Sequence, residues 1–232
     1  MLIVIDFDDT ASSVNGAQII LRELGVDWAR SEIRKRFNSG ETTFKQYQEE
    51  EFEGLISSVS EIKNLASGVI PMRDGLEDLV EAAHEGGHEL IIASAGLDIY
   101  IQPALESAGL GDIPVVSVSA ITDEDSDMIA GYEYPPCESR CTEAWAVCKC
   151  YPMREAIQNQ EEVVFVGDGM MADTCAVGTA DTVFARSRLL AHCESEGIPA
   201  TGFDGLQKVS DYVRSRNTGS NESAISPTGM GN

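Results

Sequence analysis

Positive charge is what this chain has least of. Five lysines and eleven arginines stand against 39 acidic residues among 232, a formal net charge of -23. A field of that sign repels nucleic acid and anionic membranes, so neither is an expected partner. It would repel a phosphate ester too, so a phosphate site would need a local cation or a metal. Acid excess with few lysines suits a high-salt cytoplasm, where screening relieves self-repulsion, and it serves plain solubility equally. Long apolar runs are also missing. None reaches the ~20 residues of a membrane-spanning helix. The apolar start, Leu2 to Ile5, has no basic flank and runs straight into acids, unlike a signal peptide, and the expected location is the cytoplasm. Histidine is scarce, with three residues. His84 and His88 have helical spacing, but Gly86-Gly87 between them should break a helix, so they read as surface residues and not as a metal pair. No internal repeat is visible.

What is present reads as a layered α/β domain. Hydrophobic residues make up 43% of the chain, ordinary for a globular protein, and the length suits one large domain or a core with a modest insertion. Brief apolar runs rich in Ile and Val predict strands over Leu2–Asp8, Glu89–Ala95, Pro114–Ser119, Val163–Gly167 and Thr182–Ala185. They lack strict alternation, as expected of a parallel sheet covered on both faces. Helical patterns separate them: Asp74–His84, Leu97–Ala108, Met153–Gln160 and Ser187–Glu196. The alternation predicts a doubly wound parallel sheet. Residues 15–72 break this rhythm. They read as helical throughout, an insertion or cap, leaving 1–14 and 73–216 as the core. Residues 217–232, rich in Gly, Ser and Asn, read as a disordered tail.

Three predicted strands end in reactive side chains. The first leads into Asp6-Phe7-Asp8-Asp9-Thr10, the second ends in Ser94-Ala95-Gly96, and the fourth in Gly167-Asp168-Gly169, with Asp173 five residues on. Ligands of open α/β sheets bind outside the carboxyl ends of the strands, so these groups should converge. Two unit charges 4 Å apart repel by ~4 kcal/mol at an effective dielectric of 20, which a divalent cation would relieve. An all-oxygen set suits magnesium. In Asp-x-Asp-x-Thr, one carboxylate can attack phosphorus while the next protonates the leaving oxygen. The second strand offers a hydroxyl and backbone N–H groups to phosphoryl oxygens. Lys149, just before a predicted helix, is the candidate cation.

These segments resemble the four motifs of the haloacid dehalogenase (HAD) superfamily. Asp6 to Thr10 matches the first, Ser94 the second, Lys149 the third, and Asp168 with Asp173 the fourth. The resemblance spans most of the chain. It implies a HAD-like Rossmannoid core with a helical cap, and a Mg2+-dependent phosphatase acting on a small phosphomonoester. By the same resemblance Asp6 is the nucleophile and Asp8 the general acid/base. Thr10, Ser94, Ala95 and Lys149 bind substrate. Asp6, Asp8, Asp168 and Asp173 form the metal site. Ser94 to Pro103 is similar to the phosphoserine-phosphatase-like branch. With Phe184 to Leu190 and the Cys-Lys pair at 148–149, it resembles in particular the methionine-salvage phosphatases of 2-hydroxy-3-keto-5-methylthiopentenyl 1-phosphate. Phosphoserine, phosphoethanolamine and phosphocholine are the alternative substrates. Two departures stand out: Ala95 where relatives often carry Gly, and an Asp-x4-Asp fourth motif where phosphoserine phosphatases usually have Asp-x3-Asp.

Cys137, Cys141, Cys148 and Cys150 cluster without matching a common zinc pattern. They read as reduced residues packing around Lys149, with a zinc site, or a zinc-dependent binding module in place of an enzyme, as the alternative. Cys175 and Cys193 read as helix core. Arg34, Lys35 and Arg36 form the densest basic cluster, and Phe44 and Tyr47 read as core of the insertion. The expected partner is a small phosphate ester, with a homodimer as the candidate assembly.

Overall fold

A seven-stranded sheet carries the molecule, with β1 (Leu2–Ile5) at its centre. The others are β2 (Glu89–Leu97), β3 (Val115–Asp123), β4 (Met128–Glu133), β5 (Val163–Gly167), β6 (Thr182–Ala185) and β7 (Thr201–Gly202), in the order β4-β3-β2-β1-β5-β6-β7. All neighbours pair in parallel except β3 and β4, which are antiparallel. The structure, a computed structural model, describes residues 1–25, 27–139, 141 and 145–219. The doubly wound parallel sheet expected from the sequence is present.

Successive side chains of a strand point to opposite faces, and here both faces are covered. Ile3, Ile5, Leu90, Ile92, Val164 and Val166 enter one core; Leu2, Val4, Ile91, Ala93, Val163 and Phe165 enter the other. Fully burying one such aliphatic side chain contributes about 1.5–3 kcal/mol, which is why the strands read as unbroken apolar runs. The first face is covered by α4 (Val59–Val69), α5 (Leu76–Glu85), α6 (Asp98–Ser107) and α10 (Gln207–Gly219). The second is covered by α7 (Arg154–Gln158), α8 (Asp173–Val177) and α9 (Ser187–Glu196). Helix α9 stops at Gly197, whose φ of 67° is the left-handed value that favours glycine at this position.

Between β1 and α5 lie α1 (Gly16–Leu24), α2 (Asp27–Asn38), α3 (Phe44–Glu53) and α4. Local chemistry starts these helices. The Asn15 side chain accepts from Gln18 N, and Thr43 with Gln46 and Ser58 with Glu61 form two reciprocal capping boxes. Helix α4 is tied to the rest of the molecule: it packs on α6, its Ser67 hydroxyl donates to Pro103 O at 3.3 Å, and its Val59 N–H donates to Asp127 O at 2.7 Å.

Two strands were not expected. β4 pairs only at the sheet edge and is half-exposed, so it lacks an apolar run, and β7 has two residues. The β3–β4 turn is held by Asp123, whose carboxylate accepts from the Asp125 and Ser126 backbones. β1 is shorter than expected. It ends at Ile5 because the chain then closes a wide turn, with Ala11 N–H donating to Asp6 O at 3.0 Å and Ser12 N–H to Phe7 O at 2.9 Å. Residues 217–219, expected in the tail, belong to α10; residues 220–232 lie outside the described residues.

Candidate active site

Asp6 is the first residue beyond β1. Its N–H donates to Val166 O at 2.9 Å, which holds it between the carboxyl ends of β1 and β5. Lys149, only 2% exposed, places its ammonium 2.5 Å from Asp6 Oδ1 and also against Asp173 Oδ1. Asp173 opens α8, and its other oxygen accepts from Gly169 N at 2.9 Å. Asp6, Asp168 and Asp173 each offer an oxygen to one group in which all lie within 4.8 Å of one another. The sequence expectation that these strand ends converge holds in the geometry.

Three buried carboxylates around one ammonium leave the group negative. Burial pushes the Asp6 carboxyl well up, Lys149 opposes this, and the nearby Asp173 and Asp168 add to it. Burial, then the charges of Asp173 and Asp9, raise Asp168 to about 6. Burial would depress Lys149, but the Asp173 and Asp6 carboxylates outweigh it and hold the ammonium charged. Crowded oxygens of this kind fit a hard divalent cation, which would favour their ionised forms.

Asp8 faces elsewhere. The Tyr100 hydroxyl donates to its Oδ2 at 2.6 Å and Gly16 N–H to its Oδ1 at 2.6 Å. Both side-chain oxygens of Asp8, a residue expected in the metal site, are thus engaged outside the three-carboxylate group. Burial raises Asp8 to about 6, against the hydrogen bonds from Tyr100 and Gly16. Thr10, expected to bind substrate, is fully buried and donates to Asp168 Oδ1 at 3.1 Å; it is not among the residues that line the cavity.

Two arginines that the sequence did not single out brace the turn after Asp6. Arg73 donates from Nε to Thr10 O and from Nη2 to Asp9 O, both at 2.6 Å, while Arg186 Nη1 donates to Asp9 O at 2.8 Å. Asp9 sits at φ 59°, an uncommon backbone conformation that these contacts help to hold. The position of Arg186 at the end of β6 was a usable signal. Nothing in the spacing marked Arg73. Tyr100, the partner of Asp8, was likewise legible only as an apolar member of a helix.

A cavity of about 170 Å³ rises from these groups and is roofed by Gln18 and Leu21 of α1 and by Phe44, Tyr47, Gln48, Glu51 and Phe52 of α3. Ser94, Ala95 and Gly96 form part of its wall, where the Ser94 hydroxyl accepts from Gly96 N at 3.1 Å. Gln48 reaches across to donate to Ala95 O at 2.6 Å. Gln48 Oε1 and Glu51 Oε1 are buried without a hydrogen-bond partner among the described residues; Arg30 Nε stands 3.9 Å from the latter. Tyr47 stacks on Phe37 at 4.6 Å, so it and Phe44 belong to the aromatic core of the insertion, yet both also line the cavity. Of the basic cluster, Arg34 donates to Gln18 Oε1 at 2.9 Å, while Lys35 and Arg36 pair with Glu32 and Glu50.

The cysteines regroup. The sulfurs that lie mutually within 4.8 Å are Cys141, Cys150 and Cys175. Cys137 and Cys148, expected in the set, are not in that group, and Cys175, expected in a helix core, is. Cys193 is buried in the core, as expected.

The family model described as "Putative Phosphatase" matches residues 1–193. The 2-hydroxy-3-keto-5-methylthiopentenyl-1-phosphate phosphatases of Bacillus cereus (strain AH187) and Bacillus thuringiensis (strain Al Hakam) are each 23% identical over 211 residues, covering 90% of this chain and 94% of theirs. A solved phosphoserine phosphatase with a phospho-aspartyl intermediate analogue superimposes with a TM-score of 0.67 at 20% identity, covering 91% of this chain and 97% of that one. A HAD-family hydrolase of Salmonella enterica serovar Typhi reaches 0.71 at 20% identity, covering 90% of this chain and 69% of its own. The sheet order, the family match and the structural likeness lead to one assignment: the chain belongs to the Putative Phosphatase family and has a HAD-like Rossmannoid fold.

Proposed function

We propose that this phosphatase hydrolyses a small-molecule phosphomonoester with Mg2+, through an aspartyl-phosphate on Asp6. The observation that carries the reading is the buried group of Asp6, Asp168 and Asp173 around Lys149 at the base of a cavity. Asp6, Asp168 and Asp173 would hold the cation. When bound, it neutralises charge on the phosphoryl oxygens, which a chain of net charge -23 would otherwise repel. Lys149, the Ser94 hydroxyl and the backbone beside Ala95 orient the phosphoryl group. Asp6 attacks phosphorus. Asp8, with its carboxyl raised to about 6, gives its proton to the leaving oxygen and then takes one from the water that cleaves the aspartyl-phosphate. Tyr100 and Gly16 keep Asp8 in position for both transfers.

In this reading residues 15–72 act as a cap over a core of 1–14 and 73–216, with α1 to α3 as the moving part and α4 as its anchor. A cavity of about 170 Å³ suits a small metabolite. Leu21, Phe44, Phe52 and Met171 offer an apolar wall for a methylthio group, and Gln48 Oε1 an acceptor for a hydroxyl. This supports the methylthio-ketose 1-phosphate on which the Bacillus relatives act. Glu51 favours a second reading, an amine-bearing ester such as phosphoethanolamine or phosphoserine, because its buried Oε1 would meet an ammonium. Turnover of a panel holding all three with Mg2+, followed by acid quench to trap phosphoenzyme, tests both levels. Turnover without phosphoenzyme on Asp6 would overturn the mechanism, and the preferred ester decides between the substrates.

A further inference from the structure

The mechanism leaves the cysteines unused, although three of them come together from distant parts of the chain. Cys141 follows the β3–β4 hairpin, Cys150 lies in the loop before α7, and Cys175 is in α8. We propose that Cys141, Cys150 and Cys175 bind a soft divalent cation of the zinc type, at a site separate from the carboxylate centre, and that this ion ties the loop bearing Lys149 to the start of α8.

Convergence is the first argument. All three sulfurs lie within 4.8 Å of one another, and Cys150 is 1% exposed. Tetrahedral zinc thiolates have Zn–S bonds of ~2.3 Å, which puts their sulfurs about 3.8 Å apart, so closing the site needs shifts of only about 1 Å. A disulfide would use two of the three sulfurs and leave no role for the third. The second argument is donor chemistry. Thiolates select zinc-like ions and carboxylates select magnesium, so the two centres would sort their metals without competition. Cys148 is the nearby source of a fourth sulfur. It lies two residues before Cys150, and its sulfur accepts from Glu138 N–H at 3.5 Å, a contact of the kind that orients metal-bound thiolates.

Placement gives the site its consequence. Cys150 directly follows Lys149, and Cys175 is two residues after Asp173, the two partners of a buried ion pair. A metal joining Cys150 to Cys175 would brace that pair from behind the sheet edge. Cys141 would add the segment after the hairpin to the same tie.

The full chain, kept reduced and in excess Mg2+ so that the carboxylate centre is filled, is titrated with Co2+. One equivalent should bind with intense near-ultraviolet sulfur-to-cobalt charge transfer. Cys150→Ser and Cys175→Ser should each weaken that binding by about 100-fold or more, beyond the range of an outer partner, while Cys137→Ser leaves it unchanged. No charge-transfer band, or equal binding by Cys175→Ser, would overturn the proposal. Zinc-edge X-ray absorption of the unmodified chain with one equivalent of Zn2+ needs no variant to fold. Sulfur scatterers at ~2.3 Å support the site, and a shell of oxygen and nitrogen alone refutes it. Neither readout depends on phosphatase turnover, so this inference and the proposed function can fail separately.

Discussion

On the floor of the cavity each carboxylate has its partner: Asp6 and Asp173 share Lys149, Asp168 takes the Thr10 hydroxyl, and Asp8 is held by Tyr100 and Gly16. On the roof, Gln48 Oε1 and Glu51 Oε1 are buried with no hydrogen bond among the described residues. Leaving a buried acceptor unsatisfied costs about 1–3 kcal/mol. The floor is therefore arranged before any ligand arrives, as electrostatic catalysis requires. The roof carries a cost that a bound molecule would remove. In the proposed mechanism, chemistry belongs to the floor, and discrimination between substrates to the roof.

The largest effect should come from the floor. Asp6→Asn should lower kcat by about 10⁴-fold or more, the scale of removing a nucleophile, with no phosphoenzyme trapped after acid quench. Residual turnover within tenfold of the parent would make floor and roof equally expendable and defeat the contrast. Next, Lys149→Met should destabilise the metal-free protein by about 3–5 kcal/mol in urea unfolding, because it leaves Asp6 and Asp173 buried without their cation. Added Mg2+ should recover part of that loss, and an unchanged midpoint would show that the ion pair is not the keystone of the floor.

A smaller effect concerns pH. Asp8 and Asp168 are raised from the usual 3.8 to about 6 by burial. Between those values the folded chain keeps protons that the unfolded chain has released. Stability of the metal-free protein should therefore fall as pH rises through that window, in contrast to a salt-bridged carboxylate. Thermal melts from pH 4 to 7 should show the fall, Mg2+ should offset it, and Asp8→Asn should flatten it. A rise in stability over the same range would mean that these carboxyls are not raised. The smallest effect belongs to the roof. Glu51→Gln should raise KM about tenfold for an amine-bearing ester, about 1.4 kcal/mol, with kcat nearly constant. An equal fall in kcat would place Glu51 with the chemistry and erase the distinction between the two halves.

The floor could be read ahead of the fold because its parts are tied to local chain features. Asp6, Ser94 and Asp168 each follow or end an apolar run, and a parallel sheet brings the carboxyl ends of its strands to one edge. Lys149 stood out because lysine is rare and its place in the chain was right. The helices of 15–72 were legible through the helical spacing of their apolar residues. The half-exposed edge strand β4 was not, because one-sided burial leaves no apolar run to detect. Arg73 escaped notice because it acts through backbone carbonyls, and a carbonyl has no letter in the sequence.

Order along the chain was thus enough for the sheet, for the helices inserted after β1 and for the convergence of Asp6, Asp168 and Asp173. Side-chain direction was not. Whether Asp8 turns to the other carboxylates or to Tyr100, whether Thr10 turns to the cavity or to Asp168, and whether Cys150 finds Cys148 or Cys175 depend on side-chain rotations. Those rotations are set by packing between segments as much as 158 residues apart, as in the Thr10–Asp168 bond, and short-range spacing carries no record of them. The same holds for the sulfur cluster, where helix α8 supplies a cysteine that spacing alone had left in the core.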